Sequence, residues 1–275
     1  MIKVNGEKIK VEYYPDGTQR LNIKPRSFNI IEWTYETEEE LVTLIYITKH
    51  LKSSFVCKSV SLYMSYLPNA RMDRTKNEEE VFTLKYFADV INWLEFNRVY
   101  VLDVHSDVSK CLINKCDFKN PLHHIKNALE TISKNDMSDI ILYYPDAGSA
   151  KRYSEILSQY RYCYGEKKRD WKTGKILGLE IKTNGIDLNE KTILMIDDIV
   201  SYGGSLYYSA NTLKEYGVDK IYAYATHTEN SILDKEKGTL IKALENNTVE
   251  KLFTTNSLFT GTHEKIEVVE EVEKI

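Results

Sequence analysis

Residues 192–216, TILMIDDIVSYGGSLYYSANTLKEY, decide the fold of this chain. The first five, 192–196, form a short apolar run bounded by polar residues, which predicts a buried strand. Gly203 and Gly204 then predict a tight turn. Apolar residues beyond the turn have the spacing of one helix face: Leu206, Ala210 and Leu213. The stretch therefore predicts a strand, a glycine turn and a helix.

This arrangement gathers backbone N–H groups around one concave point. The first amides of a helix lack partners and the helix dipole is positive there, so the turn favours phosphate. Asp197 and Asp198 follow the predicted strand. Two carboxylates facing a phosphate would repel it, so we expect them to accept hydrogen bonds from sugar hydroxyls or to hold a cation. The simpler alternative is an ordinary strand–turn–helix with an acidic turn.

The same residues resemble a known loop. They are similar to the phosphoribosyl-pyrophosphate loop of type I phosphoribosyltransferases and of ribose-phosphate pyrophosphokinases. The resemblance implies that Asp197 and Asp198 contact ribose hydroxyls. It also implies that the turn wraps the 5-phosphate, and the residues of this turn are Ser201, Tyr202, Gly203, Gly204 and Ser205. This stretch alone leaves both families open.

Composition excludes several other classes of protein. The 275 residues are 42% hydrophobic and 28% charged, as is typical of a globular protein. A net charge of −4 without a basic block gives no reason to expect a nucleic-acid partner. No apolar run approaches the roughly 18 residues that span a bilayer, and the first residues lack the apolar core of a signal peptide. Scattered cysteines are typical of reduced thiols, and we expect a cytoplasmic protein.

Predicted helices and strands alternate along the chain, which indicates an α/β fold with parallel sheets. A polar stretch at 115–120, followed by Pro121, predicts a domain junction. With the resemblance, we expect two tandem phosphoribosyltransferase-type (type I) domains at 1–118 and 119–275, each a mainly parallel sheet flanked by helices. The active site is expected in the cleft between them.

Asp16 lies in a Pro-Asp-Gly turn, which predicts a hairpin. The segment also resembles the Phe-x-Asp-Gly-Glu segment of the pyrophosphokinases, which lines their adenine pocket, although Thr18 stands where they have glutamate. That resemblance assigns Asp16 to ATP binding. The family has a further strand and helix before this point, so we expect a trimmed first domain on the ATP side.

Arg71, Asp73 and Arg74 lie in a loop after a predicted strand. They are explained most simply as a solvated ion-pair cluster, but the planar fork of arginine suits bidentate phosphate contact. The loop is similar to the Tyr-Ala-Arg-Gln-Asp-Arg strip of the family, with Met72 in place of glutamine. The resemblance implies that all three residues bind ATP.

His105 and Asp146 each follow a predicted strand. Both residues can be explained by structural roles alone. His105 would be a histidine with its hydrogen bonds made within the protein, and Asp146 would cap a helix. His105 lies in a segment similar to Asp-x-His-Ser of the family, which implies contact with the ATP phosphates or their metal. Asp146 begins a segment similar to Pro-Asp-x-Gly, which implies a pyrophosphate cradle with Mg²⁺ near the carboxylate. Mg²⁺ needs only one or two carboxylates when substrate phosphates supply other ligands.

A basic run at 166–169, Glu-Lys-Lys-Arg, follows another predicted strand. Such runs are usually solvated loops. This one resembles the base of the mobile catalytic loop of the pyrophosphokinases, which implies that Lys167 and Arg169 neutralise charge on the transferred group. The residues as far as about Glu180 are then expected to form a closing lid.

These segments occur in one order along the chain, which favours a ribose-phosphate pyrophosphokinase-like enzyme over a simple phosphoribosyltransferase or an inactive nucleotide-binding regulatory paralogue. The resemblance implies transfer of the β,γ-diphosphoryl group of Mg-ATP to the C1 hydroxyl of a ribose 5-phosphoryl acceptor, and a homo-oligomer. Ser201 replaces the third acid of the family loop and Tyr202 a threonine. The acceptor therefore stays open between ribose 5-phosphate and ADP-ribose, the latter feeding NAD salvage.

Overall fold

The computed structural model describes residues 1–133, 140–169 and 176–269, without the side chains of 167–169 and 176–177. The chain divides into two compact units, Met1–Asn120 and Pro121–Ile275. Among the helices within the described ranges, none is long and apolar enough to cross a membrane.

The first unit contains a six-stranded sheet flanked by helices. Its elements are β1 (Ile2–Val4), β2 (Glu7–Lys8), β3 (Glu12–Tyr13), β4 (Gln19–Arg20), β5 (Phe28–Trp33), α1 (Glu40–Ser53), β6 (Ser59–Met64), α2 (Thr83–Trp93), β7 (Val99–Leu102), α3 (Asp107–Leu112) and β8 (Cys116–Lys119). The sheet order is β2-β1-β5-β6-β7-β8, with β5 to β8 parallel and β1 antiparallel to both neighbours. One face of α2 packs into the core of this unit, because Leu84, Phe87 and Ile91 are buried.

The polar junction expected at 115–120 is largely a strand. Cys116–Lys119 forms β8, which pairs in parallel with β7 at the edge of the sheet. Edge strands have one solvated side, so polar side chains are compatible with pairing there. The units separate between Asn120 and Pro121.

The second unit contains a seven-stranded sheet. Its elements are α4 (Leu122–Ser133), β9 (Ile140–Tyr144), α5 (Ala147–Tyr153), β10 (Tyr162–Arg169), β11 (Ile176–Lys182), β12 (Thr192–Val200), α6 (Gly204–Glu215), β13 (Lys220–Thr228), a 3₁₀ turn (Asn230–Leu233), α7 (Leu240–Glu245), β14 (Leu252–Thr255) and β15 (Ile266–Val269). The order is β11-β10-β9-β12-β13-β14-β15, and only the β10–β11 pairing is antiparallel among those described. These mainly parallel sheets confirm the predicted fold class.

The strand predicted at Thr192–Ile196 is longer than its apolar run. β12 continues to Val200, so Asp197 and Asp198 lie inside the strand rather than after it. Asp197 lies opposite Ala225 of β13, and the register continues as far as Val200 opposite Thr228. A strand continues while its neighbour offers hydrogen bonds, whatever the side-chain polarity.

The lid expected between the basic run and about Glu180 contains two strands. β10 continues through the basic run to Arg169 and pairs antiparallel with β11, with Lys167 opposite Leu179. The lid residues 170–175 lie outside the described residues. Sequence reading missed the hairpin because charged residues usually indicate a loop.

Candidate active site

Three carboxylates lie near the carboxyl edge of the second sheet. Asp197 and Asp198 are near the end of β12, and Asp146 directly follows the neighbouring strand β9. Asp146 is the N-cap of α5: its Oδ1 accepts a hydrogen bond from the backbone N–H of Ser149 at 3.0 Å. Parallel sheets bind ligands at this edge, so the structure brings the predicted sugar and pyrophosphate residues together.

Asp197 is half-buried, and its carboxyl group makes several contacts within the protein. Oδ1 accepts from the Ser149 hydroxyl and from the backbone N–H of Asp198, both at 3.0 Å. Burial, followed by the charge of Asp198 and a side-chain hydrogen bond with it, raises the pKa of Asp197 well above its usual range. Because the residue is only half-buried, its carboxyl group can accept from, or donate to, a ligand.

Asp198 is more deeply buried and is paired. Its residue is 3% exposed, and its Oδ1 lies 2.7 Å from an Arg152 guanidinium nitrogen. The two adjacent acids therefore differ: Asp197 is half-buried, whereas Asp198 is buried and paired with a cation of the protein itself. The sequence-based site omitted Arg152 and Ser149. The capping spacing of Asp146 and Ser149 was the available signal, because it predicts a helix that carries both residues to this edge.

The predicted glycine turn is present and tightly packed. Gly203 is the N-cap of α6 with φ +83°, a conformation that favours glycine. A Cβ at this position would lie 2.2 Å from the Cβ of Leu240. The carbonyl of Tyr202 accepts from the backbone N–H and the hydroxyl of Thr239, both at 2.8 Å. The beginning of α7 thus holds the turn in place.

The two serines of the turn, Ser201 and Ser205, differ in their surroundings. The Ser201 hydroxyl lies 3.1 Å from that of Ser231, which donates to Glu229. Ser205 is exposed in the first turn of α6. Ser205 is therefore accessible to an anion, whereas Ser201 belongs to a hydroxyl network within the protein.

The residues predicted to bind ATP lie in the first unit. Arg71, Asp73 and Arg74 follow β6, and the Arg74 side chain is 87% exposed, 3.9 Å from Asp73. His105 is half-buried between β7 and α3. These four residues lie beyond the carboxyl ends of two neighbouring parallel strands, as an α/β ligand site requires. Their contact with ATP stays a prediction.

Asp16 has a structural role in the hairpin that the sequence predicts. β3 and β4 pair around it, and its Oδ1 accepts from the backbone N–H of Thr18 at 3.0 Å and from the Thr18 hydroxyl at 2.7 Å. The Thr18 N–H is the main cause that lowers the pKa of Asp16. Thr18, the departure from the family segment, thus completes the turn.

Lys167 and Arg169 lie on β10, and their side chains are outside the described residues. Within the described ranges, no group of three His, Cys, Asp or Glu side chains is placed to hold a metal ion. The carboxylates of Asp146 and Asp197 suit a hard cation that takes most of its ligands from substrate phosphate and water.

Comparisons with known proteins extend over nearly the whole chain. The sequence is 26% identical over 275 residues to a ribose-phosphate pyrophosphokinase of Pyrococcus abyssi, covering 97% of this chain and 90% of that protein. It is 26% identical over 271 residues to the ribose-phosphate pyrophosphokinase of Bacillus subtilis, covering 94% and 80%. The crystal structure of phosphoribosylpyrophosphate synthetase from Mycobacterium smegmatis superposes with a TM-score of 0.75 at 16% identity, covering 96% and 86%. No family model matches the chain.

The structural likeness establishes the fold as the type I phosphoribosyltransferase fold in two tandem α/β units. Within that class, the chain is similar to ribose-phosphate pyrophosphokinases over almost its full length. The predicted resemblance is confirmed, and the comparisons agree with the prediction of an enzyme, a diphosphokinase-type transferase.

Proposed function

We propose that the protein is an Mg-ATP-dependent pyrophosphokinase acting on a ribose 5-phosphoryl acceptor. The acidic cluster beside the glycine turn carries the proposal: the half-buried Asp197 is accessible to a sugar hydroxyl, and α6, with its first amides, begins after a three-residue turn beyond Val200. The near full-length similarity to ribose-phosphate pyrophosphokinases supports the same activity.

In the proposed reaction, the C1 hydroxyl oxygen of the acceptor attacks the β-phosphorus of ATP. The bond from the β-phosphorus to the oxygen bridging the α-phosphorus breaks, AMP leaves with that oxygen, and the hydroxyl proton is released. Asp197 orients the sugar, since positioning supplies much of the rate in phosphoryl transfer. Arg71, Arg74 and His105 hold ATP, with Asp73 and Asp16 assigned to the same subsite by resemblance. Lys167 and Arg169 neutralise charge developing on the transferred group.

Mg²⁺ fits Asp146, whose carboxylate adjoins the proposed pyrophosphate cradle, and His105 on the ATP side. When bound, it would screen the phosphate charges. The protein residues alone supply few metal ligands, so we expect affinity for Mg²⁺ to depend on bound nucleotide.

The acceptor is either ribose 5-phosphate or ADP-ribose, which would give phosphoribosyl pyrophosphate or ADP-ribose 1-pyrophosphate. The names of the relatives favour ribose 5-phosphate. In the family loop, an acid stands at the position of Ser201 and a threonine at the position of Tyr202. These two replacements favour an acceptor that extends beyond one phosphate.

The test is acceptor-dependent AMP formation from Mg-ATP, with each acceptor in turn. The Asp197→Ala, Asp198→Ala double variant is the blank. AMP that forms only with an acceptor, and not with the blank, supports the proposal. AMP from neither acceptor refutes it and leaves the phosphoribosyltransferase and binding-protein alternatives.

A further inference from the structure

The segment before α7 places a lysine beside the proposed phosphate turn. The ammonium nitrogen of Lys237 lies 6.0 Å from the ring centroid of Tyr202. Tyr202 is 39% exposed, and it directly precedes Gly203, the N-cap of α6. An aromatic face and a cation therefore adjoin the point where the first amides of α6 are available to a phosphate.

The segment that carries Lys237 is fixed by the protein. Asp234 accepts from the backbone N–H of Lys237 at 2.8 Å, and its carbonyl accepts from the N–H of Gly238 at 2.8 Å. Gly238 is so enclosed that a Cβ there would lie 2.5 Å from two carbonyl oxygens. Thr239 in turn is bonded to the carbonyl of Tyr202. Hydrogen bonds to Asp234 before Lys237, and to Tyr202 from Thr239 after it, thus fix the Lys237 backbone relative to the turn.

The Lys237 ammonium is available to a ligand. The Lys237 side chain is exposed and has no carboxylate within ion-pair distance in the described part of the chain. Asp234 accepts with Oδ1 from the backbone N–H groups of Lys237 and Glu236, and these bonds, followed by the charge of Lys237, lower the pKa of Asp234. A second phosphate would therefore meet an exposed ammonium group.

We infer that Tyr202 and Lys237 form a specificity site for the part of the acceptor beyond its 5-phosphate, a second phosphate linked to a nucleoside. This inference rests on the proposed function and identifies its acceptor as ADP-ribose. Lys237 contacts the second phosphate as a point charge. Tyr202 offers a face for the nucleoside, because bases stack on exposed aromatic rings.

The test measures binding apart from turnover. Calorimetric titrations of ADP-ribose and of ribose 5-phosphate, without ATP, compare the wild type with Lys237→Ala and Tyr202→Thr. The matched control is Lys235→Ala, which removes an exposed lysine two positions away. We expect either site variant to weaken ADP-ribose binding by about tenfold, the loss of one charge-assisted hydrogen bond or one stacked ring. In Lys237→Ala, ribose 5-phosphate binding should change by less than about twofold, as should both affinities in the control.

In Lys237→Ala, equal loss for both ligands or no loss for ADP-ribose would overturn the inference, as would failure of the wild type to bind ADP-ribose. Thermal melts show whether the variants are folded. Since Lys237 is exposed, Lys237→Ala carries the test even if Tyr202→Thr is unstable. The outcome is separate from the proposed function: absence of AMP formation refutes the pyrophosphokinase proposal, while the titrations still decide whether this site binds ADP-ribose.

Discussion

Arg152 and Asp198 form an ion pair of 2.7 Å between α5 and β12, with 23% and 5% of their side chains exposed. The pair links the helix that Asp146 caps to the strand that bears the proposed sugar-binding acid. The carboxylate of Asp198 is thus held by a charge within the protein, next to the half-buried Asp197.

Breaking this pair should destabilise the second unit. Arg152→Met leaves the buried Asp198 carboxylate without its cation, so we expect a loss of about 2–3 kcal/mol in the free energy of unfolding, discounted for the partly exposed guanidinium. Urea denaturation measures it, with Lys126→Met on the exposed face of α4 as control. Adding Asp198→Asn to the variant should restore part of the loss. A full loss retained in the double variant would show that packing of Arg152, rather than charge, matters.

Asp197 should make stability depend on pH. Its raised folded-state pKa means that the folded protein keeps this proton to higher pH than the unfolded chain, where an aspartate titrates near pKa ~3.9. The free energy of unfolding from this group therefore falls as pH rises from about 4 through the raised pKa. Asp197→Asn cannot titrate and keeps an acceptor for Ser149.

The stability of Asp197→Asn relative to wild type should therefore increase as pH rises from about 4 to about 8. Urea denaturation at several pH values measures it. Asp219→Asn, at an exposed position, serves as the control for a general charge effect. A difference that stays constant with pH would contradict the raised pKa.

Gly203 should tolerate no side chain. Gly203→Ala combines a left-handed φ of +83° with a Cβ 2.2 Å from that of Leu240, so we expect a loss of at least about 2 kcal/mol. Gly204→Ala is the matched control, since its nearest contact would be 3.9 Å away and its φ is not positive. Alanine there should be neutral or stabilising by up to about 1 kcal/mol. Similar melting temperatures for the two variants would contradict the packing of α7 on the turn.

The sequence predicts most of the elements because their apolar patterns are strong. The helix face predicted at Leu206, Ala210 and Leu213 is the buried face of α6. The end of β12 is not predicted, because hydrogen bonds from β13 extend it through two acids. Pairing between strands distant in sequence has no local signal.

For the site, the acids and glycines were visible as a motif, whereas their protein partners were not. Arg152 reaches Asp198 only because α5 and β12 pack together, a tertiary contact across many residues. The role of α7 in fixing Tyr202 likewise depends on a long-range contact with Thr239. In the sequence, Arg152 belongs to an ordinary helix and Thr239 to an ordinary loop, so neither is marked as part of the site.

The basic strand should affect turnover more than binding. If Lys167 and Arg169 neutralise developing charge, Lys167→Gln and Arg169→Gln should each lower kcat by about 10²-fold or more, with smaller changes in KM. Lys168→Gln, between them on β10, is the control and should cost much less. Initial rates over a range of ATP and acceptor concentrations separate kcat from KM. A loss confined to KM would assign these residues to substrate binding alone.

The most direct measurement of the central claim follows the phosphates of ATP into the products. In parallel reactions with α- and γ-labelled Mg-ATP, the account predicts that the γ label appears in a sugar pyrophosphate, while the α label stays in an equal amount of AMP. Formation of ADP with a sugar that has gained only one phosphate at C1 would show ordinary kinase chemistry. AMP without a labelled sugar would show hydrolysis, and either result would contradict pyrophosphoryl transfer.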